Sequence, residues 1–412
     1  MLEPNAHVDP EALYLDACLK HQRGMLSESR AILESVIKAA PNHADALHLQ
    51  GIIAAQTKDY RLAVDLIARA IELDTTNAAF HSNLGLALQN LLRNEAAIQC
   101  YDRAIAIKPD YAEAYYNRGI SNQSLGRWET AITDYDRAIS IRPNYAEAYC
   151  NRGIALQKQG WLQAAVASYG QALAIRPTYA LAWSNRGLAL LELNQQDEAV
   201  ASCDRAIAIM PNLAEAHDNQ GIALRGLNQL EAAVACYDRA IAVKPDYPEA
   251  YYNRGNALKE LKQIEKAVES YDSAIRMRPD YSEANWNKGL ALLLNGDFDN
   301  GLELYEWRWK KVGAQSPHDR FGKPLWTGSQ SLESKSILVW SEQGLGDTIQ
   351  FCRYLRMLKE LGAAVHFSPQ KPLRSIINTL TDPVRSVSED EANLEFDFHV
   401  PLLSLPLASK RT

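Results

Sequence analysis

The run Tyr115-Tyr116-Asn117-Arg118-Gly119 returns as Tyr149-Cys150-Asn151-Arg152-Gly153, as Trp183-Ser184-Asn185-Arg186-Gly187 and as Tyr251-Tyr252-Asn253-Arg254-Gly255. The spacing is thirty-four residues or twice that. Gly51, Gly85, Gly119, Gly153, Gly187, Gly221, Gly255 and Gly289 keep the period, as do Pro41, Pro109, Pro143, Pro177, Pro211, Pro245 and Pro279, with Thr75 interrupting the prolines. A chain that repeats itself at fixed spacing is read first as an array, because each unit buries its apolar face only against its neighbours.

Between each glycine and the next proline stand two alanines seven residues apart: Ala97/Ala104, Ala131/Ala138, Ala165/Ala172, Ala199/Ala206, Ala233/Ala240 and Ala267/Ala274. That spacing puts both on one helical face. Small side chains there let a second helix approach closely. Each unit therefore reads as two amphipathic helices, with a turn near Leu125-Gly126-Arg127 in one unit and the proline between units. Asp110 with Glu113 has the form of a capping box, echoed at Asn144/Glu147, Asn212/Glu215, Asp246/Glu249 and Asp280/Glu283. Each is expected to contribute about 1 kcal/mol. The unit beginning near Ala180 has Leu181 in place of the glutamate.

The period, the glycine, the paired alanines, an aromatic at Tyr101, Tyr135, Tyr169, Tyr237 or Tyr271 and the closing proline together resemble the tetratricopeptide repeat over about residues 10 to 312. The resemblance implies a mostly α chain, a right-handed α-solenoid of helix pairs. Residues 1–43 read as a divergent N-terminal repeat and 44–312 as the array. Both ends depart from the pattern, with Ala17 where the glycine would fall, and Gly301 and Arg308 where the alanines would fall. Capping units look like this, since their outer face meets water or another domain. Eight pairs and a ninth at the N-terminus are expected.

Asparagine stands two residues before the glycine in seven successive units, at Asn83, Asn117, Asn151, Asn185, Asn219, Asn253 and Asn287, with Leu49 in the unit before them. A primary amide can pair with both the donor and the acceptor of an extended peptide backbone. A row of amides would read such a peptide with little regard to sequence. The competing reading is that each asparagine ties its own repeat to the next. In superhelical tetratricopeptide arrays such as that of O-linked N-acetylglucosamine transferase, an asparagine ladder on the first helices holds substrate backbone, and the resemblance carries that role to these seven positions. Arg118, Arg152, Arg186 and Arg254, with Asp102, Asp136, Asp204, Asp238 and Asp272 on the second helices, read as ion-pair struts. Tyr116, Tyr252 and Trp286 adjoin the row and suit either contact with a peptide or packing.

The totals narrow the partner. A formal net charge of -7 and pI near 5.8 lack the concentrated Lys and Arg of a nucleic-acid surface. No signal-like start and no apolar run of membrane length appears, so a cytoplasmic protein is expected. Cys18, Cys100, Cys150, Cys203, Cys236 and Cys352 show no CxxC or paired spacing and read as small buried hydrophobes, with neither disulfide nor metal expected. No cofactor is expected either.

After Trp307-Arg308-Trp309 the period stops, and Pro317, Gly322, Pro324 and Gly328 mark a connector over 313–335. Trp307, Trp309 and Trp326 are expected to pack the join. Ser336–Trp340 reads as a buried strand, Glu342 to Asp347 as a glycine-rich turn, Thr348 to Leu361 as a helix and Val365-His366-Phe367 as a second strand: the opening of a parallel α/β, Rossmann-like segment over 336–412. Two glycines, Gly344 and Gly346, before a helix N-terminus make a plausible anion-binding turn. The turn has neither the Gly-Lys-Ser/Thr of a P-loop nor a third glycine. The longer string Trp340-Ser341-Glu342-Gln343-Gly344-Leu345-Gly346-Asp347-Thr348, with Pro324-Leu325-Trp326-Thr327-Gly328 before it, resembles bacterial tetratricopeptide proteins whose C-terminal domain is related to heptosyltransferase-type glycosyltransferases. The resemblance implies Asp347 as a general base toward an acceptor hydroxyl; the plainer reading is a helix cap. Only 77 residues follow Lys335, where two Rossmann-like domains need on the order of 300. A truncated homologue, lacking the donor half, is the expectation. The sequence thus predicts a scaffold that binds a peptide or partner protein and has no enzymatic activity as it stands. The alternative is a nucleotide-sugar-dependent protein glycosyltransferase that uses the array to recruit substrate.

Overall fold

Two helices of 13 and 14 residues, such as Ala112–Ser124 and Trp128–Ile141, joined through one left-handed residue, form the unit from which most of the chain is built. The computed structural model describes residues 9–310, 316–342, 344–380, 384–388 and 395–410. Gln343 of the glycine-rich turn, the head of the connector at 311–315 and both chain ends fall outside them. The left-handed residues are Gly24, Lys58, Leu92, Gly126, Gly160, Asn194, Asn228, Lys262 and Gly296, thirty-four apart throughout. The fold thus fixes one backbone conformation per repeat, although glycine, which adopts it without steric cost, occupies only four of the nine positions.

The chain divides into two compact units, 1–223 and 224–412. The first holds six helix pairs, from Pro10–Gln22 with Leu26–Ala39 to Ala180–Glu192 with Gln196–Ile209. The helix Ala214–Gly226 reaches its end. In this unit the paired alanines are fully buried. A Cβ built on Gly153 would stand 2.5 Å from Tyr169 Cε1, and one on Gly85 or Gly119 would stand 2.7 Å from the ring of Tyr101 or Tyr135. At these positions the glycine is there because a tyrosine ring of the second helix presses on its backbone; at Gly51 and Gly187 the side chains of Ile67 and Cys203 take the ring's place. Those three phenols donate to Gln89, Gln123 and Gln157 at 3.0, 2.9 and 3.0 Å, so each buried ring has its hydroxyl satisfied.

Four of the five expected capping boxes are not formed. The helices that follow Asp110, Asn144, Asp246 and Asp280 begin after Tyr111, Tyr145, Tyr247 and Tyr281, and none of those four starts has a side-chain cap. The glutamate finds a longer-range partner instead. Glu113 and Glu147 pair with Arg142 and Arg176, and in the second compact unit Glu249 accepts from Arg278 at 2.5 Å. Each pair joins the start of a first helix to the end of its own second helix. Where Leu181 replaces the glutamate, Met210 stands at the arginine position, and both are exposed.

The second compact unit contains Leu230–Val243, the pairs Pro248–Glu260 with Ile264–Met277 and Ser282–Leu294 with Phe298–Tyr305, and then a sheet. Its strands are β1 Ser336–Trp340, β2 Ala364–Ser368, β3 Arg385–Ser386 and β4 Phe398–Pro401. All pairings are parallel, in the order β3-β2-β1-β4. The helix expected from Thr348 to Leu361 is interrupted: Leu345–Phe351 passes through a 3₁₀ turn, Cys352–Tyr354, into Leu355–Glu360. That turn keeps Cys352, Leu355 and Leu358 all facing the core, where Trp326, Val339, Phe367 and Leu402 meet. No helix among the described residues is long and apolar enough to cross a membrane. No cluster of His, Cys, Asp and Glu among them could hold a metal.

Candidate functional site

The row of asparagines lies on the first helices, and each bonded amide meets the residue thirty-five positions earlier. In the first compact unit Asn83 Nδ2 donates to His48 Nε2 at 2.9 Å, Asn151 Nδ2 to the Tyr116 hydroxyl at 3.0 Å, and Asn219 Nδ2 to the backbone carbonyl and hydroxyl of Ser184 at 3.5 Å. Burial pushes up the pKa of the Cys150 thiol, thirty-five residues before Asn185, and Tyr179 and Asn185 oppose that shift. In the second unit Asn287 Nδ2 donates to the Tyr252 hydroxyl at 3.1 Å and to Asn256 Oδ1 at 3.0 Å. Tyr116 and Tyr252 are thereby the partners of the row. One half of each such amide is tied to the preceding first helix, and at Asn287 the other half is tied too, its Oδ1 accepting from Lys259 Nζ at 3.5 Å.

What each amide retains differs. Asn219 and Asn287 are buried, at 8% exposure each. Asn83, Asn117, Asn151, Asn185 and Asn253 are half-buried. Asn117 has no side-chain hydrogen bond to the described residues, so its whole amide is uncommitted. The coupling at thirty-five was present in the sequence as the succession His48, Tyr116, Cys150, Ser184, Tyr252. All can hydrogen bond, but their chemical variety hides the pattern.

Three of the four arginines act as ion-pair struts, while Arg186 donates to the Ser202 hydroxyl at 2.8 Å and Asp204 accepts from Gln220 instead. Arg118 reaches Asp102 at 2.6 Å on the preceding second helix and Asp134 at 2.5 Å on its own, while Arg152 and Arg254 reach Asp136 and Asp238 at 2.8 Å. Asp134 is 2% exposed and also accepts from Asn122 Nδ2 at 2.9 Å. Burial raises its carboxyl above the usual range and the Arg118 charge opposes that shift.

Asp347 sits in the first turn of Leu345–Phe351, where its Oδ2 accepts from the Gly344 N–H at 3.2 Å. Gly346 lies in the same turn, and a Cβ there would meet nothing within 4 Å. The neighbouring Glu342 is committed elsewhere. Arg308 grips it through Nε at 3.2 Å and Nη2 at 3.0 Å, and the Leu403 N–H donates to it at 3.2 Å. Arg308 also bonds Glu306 and Ser404, at 2.6 and 2.8 Å. Both charged side chains are almost wholly buried, at 5% and 4% exposure. Burial holds the Glu342 carboxyl above its usual range, with Arg308 pulling it down. Of the expected tryptophans, Trp309 meets Trp340 of β1 at 5.7 Å, whereas Trp326 is buried in the sheet core. The reach of Arg308 was not foreseen, because a single residue outside the period carries no signal.

Family models described as TPR repeat match residues 93–126, 123–160 and 221–262, and models described as tetratricopeptide repeat match 17–78, 150–214 and 248–281. Among solved structures, YrrB, described as a TPR protein with an unusual peptide-binding site, is 25% identical over 45% of this chain and 96% of its own, with a TM-score of 0.39. MamA is 30% identical over 40% of this chain and 96% of its own, with a TM-score of 0.38. The Cut9-Hcn1 hetero-tetramer of the APC/C gives 15% identity over 68% of this chain and 55% of that one, with a TM-score of 0.50. No curated protein matches.

Proposed function

As the chain belongs to the tetratricopeptide-repeat proteins, its matched units falling between residues 17 and 281, we propose that it is a protein-interaction scaffold whose first helices hold an extended peptide along the asparagine row. The uncommitted amide of Asn117 supports this most directly, since it is half-buried on the row and keeps both its donor and its acceptor to pair with a peptide backbone. Asn83 and Asn151 each have one N–H tied down and keep a carbonyl oxygen to offer. Asn219 and Asn287, buried and bonded, serve the array. Peptides enriched by the full chain from a random dodecapeptide phage library are the probe. Asn117→Ala is expected to weaken them about tenfold, the equivalent of one good amide pairing of about 1.4 kcal/mol, without lowering the thermal midpoint. Unchanged affinity, or no enrichment at all, would remove the reading.

A second reading, a glycosyltransferase-like segment over 336–412, draws on the parallel order β3-β2-β1-β4, the order of the first half of a doubly wound nucleotide-binding sheet. In it Asp347 would serve as the base and Gly344 and Gly346 as the anion turn. The bond from Gly344 to Asp347 weakens this case, because the carboxylate already acts as a helix cap. Thermal stabilisation of the full chain by a nucleoside diphosphate hexose is its test, and no shift at millimolar sugar nucleotide would dismiss it.

A further inference from the structure

One place along the row differs from its neighbours. In three successive units the second-helix tyrosine is braced by a glutamine twelve residues earlier: Tyr101 with Gln89, Tyr135 with Gln123, Tyr169 with Gln157. In the unit before them both partners are replaced by smaller apolar residues, Ile67 for the tyrosine and Ala55 for the glutamine. The unit at Cys203 lacks the pair too, but there Leu191 stands at the glutamine position and packs with the core. At Ala55 nothing of comparable size takes the vacated space.

The result is a cavity of about 270 Å³ lined by Ile52, Ala55, Tyr60, Ile67, Asn83 and Leu86, its wall completed by the amides of Gln56 and Asn90, which are already bonded to His21 and to the Leu86 carbonyl. Ile67 forms its floor at 1% exposure and Leu86 its rim at 41%. No charged side chain among the described residues lines it. A charged group entering would lose hydration without gaining a partner, whereas an aliphatic group would exchange water for apolar contact. The volume is below that of most small-molecule sites and suits a single side chain. Asn83 stands at its edge with one N–H donated to His48 and its carbonyl oxygen unspent.

We propose that this cavity is a specificity pocket, taking one aliphatic side chain of an extended peptide whose backbone Asn83 holds. The proposal rests on the peptide reading of the asparagine row. It adds a sequence requirement to a row that by itself would accept any sequence.

The random dodecapeptide phage library panned on the full chain supplies the probes. The enriched peptides are expected to share Leu, Ile or Met at one aligned position, and replacing that residue by Asp should abolish binding. Ala55→Gln/Ile67→Tyr restores the brace found in the next three units and fills the cavity. It should weaken the enriched peptides at least tenfold while keeping the helical circular dichroism signal. Leu86→Lys, on the exposed rim and clear of the core, should do the same if the filled variant misfolds. In methyl-labelled protein the Ile52 and Ile67 resonances should shift on adding an enriched peptide. Peptides enriched without an aliphatic preference, or bound equally by the filled and rim variants, would overturn the pocket and leave the asparagine row standing. If no peptide is enriched, or Asn117→Ala binds as well as the parent, the row itself fails and the pocket with it.

Discussion

In the helix pairs one set of contacts is reused. A ring lies on a glycine, an arginine bridges to an aspartate, and a glutamate reaches across its own pair, each at thirty-four-residue intervals. Around the sheet the contacts occur once. Arg308, Glu342, Glu306 and Ser404 form a polar cluster centred on two buried charges, and among the described repeats only Arg118 with Asp134 and Asn122 resembles it. An array spreads its stability over neighbour contacts that resemble one another, so losing one costs a local increment. A single buried cluster has no such redundancy.

The largest effect is therefore expected at Arg308. Arg308→Met leaves the Glu342 carboxylate at 4% exposure with only the Leu403 N–H among the bonds it makes now. Removing one partner of a buried pair typically costs about 3–5 kcal/mol. The region around β1 should unfold early in a urea titration followed by tryptophan fluorescence, with Trp309 and Trp340 as reporters. Replacing both charges, Arg308→Met with Glu342→Met, should recover most of the loss, because the desolvated carboxylate is then gone. A single variant as stable as the parent would show that the cluster is no more critical than a repeat contact.

The same contrast governs how much could be read in advance. The helices, their packing glycines and their arginine struts were legible because Gly119, Gly153 and Gly255, or Arg118, Arg152 and Arg254, each state one requirement several times. β1 was legible as the unbroken apolar run Ile337-Leu338-Val339-Trp340. β3, two residues long, and β4, ending on Pro401, lie below what periodicity can detect. Glu113 was misassigned as a cap because its partner Arg142 is twenty-nine residues away, a tertiary contact that matched a local motif. At the asparagine row the residue type could be read and its allocation could not. Nothing in Asn117 or Asn219 says that one amide is uncommitted and the other buried.

An intermediate effect, carried by a histidine peculiar to one repeat, tests whether a singular residue can matter inside the array as well. Burial lowers the His48 pKa from 6.5 to about 4, with Asp45 opposing, and its ring accepts from Asn83 and lies 4.3 Å from Phe80. Because the folded value is depressed, the unfolded chain binds the proton first. The contribution is complete above pH 6.5 and is lost as pH falls toward 4. Its size is at most about 3.5 kcal/mol, since each tenfold loss of proton affinity on folding corresponds to about 1.4 kcal/mol. Between pH 7 and pH 5 the urea midpoint of the parent should fall further than that of His48→Asn. Parallel pH profiles would mean that the ring protonates without disturbing its neighbours.

The smallest effect concerns the array alone and has the opposite sign. Leu92 holds a φ of 60° in the inter-helix turn where the next two units have Gly126 and Gly160, and it is 83% exposed. Its side chain is therefore little used in packing, while its Cβ bears the left-handed penalty of about 1–2 kcal/mol. Leu92→Gly removes that penalty and returns part of the gain through the greater freedom of glycine in the unfolded chain. A net stabilisation of roughly 0.5–1 kcal/mol is expected, read as a higher urea midpoint at unchanged slope. Gly160→Ala should move the midpoint the other way, since no neighbouring atom lies within 4 Å to compensate through new contacts. If both substitutions shift stability in the same direction, the left-handed turn is not what the period fixes at this position, and the exposed leucine must be held by something other than its backbone.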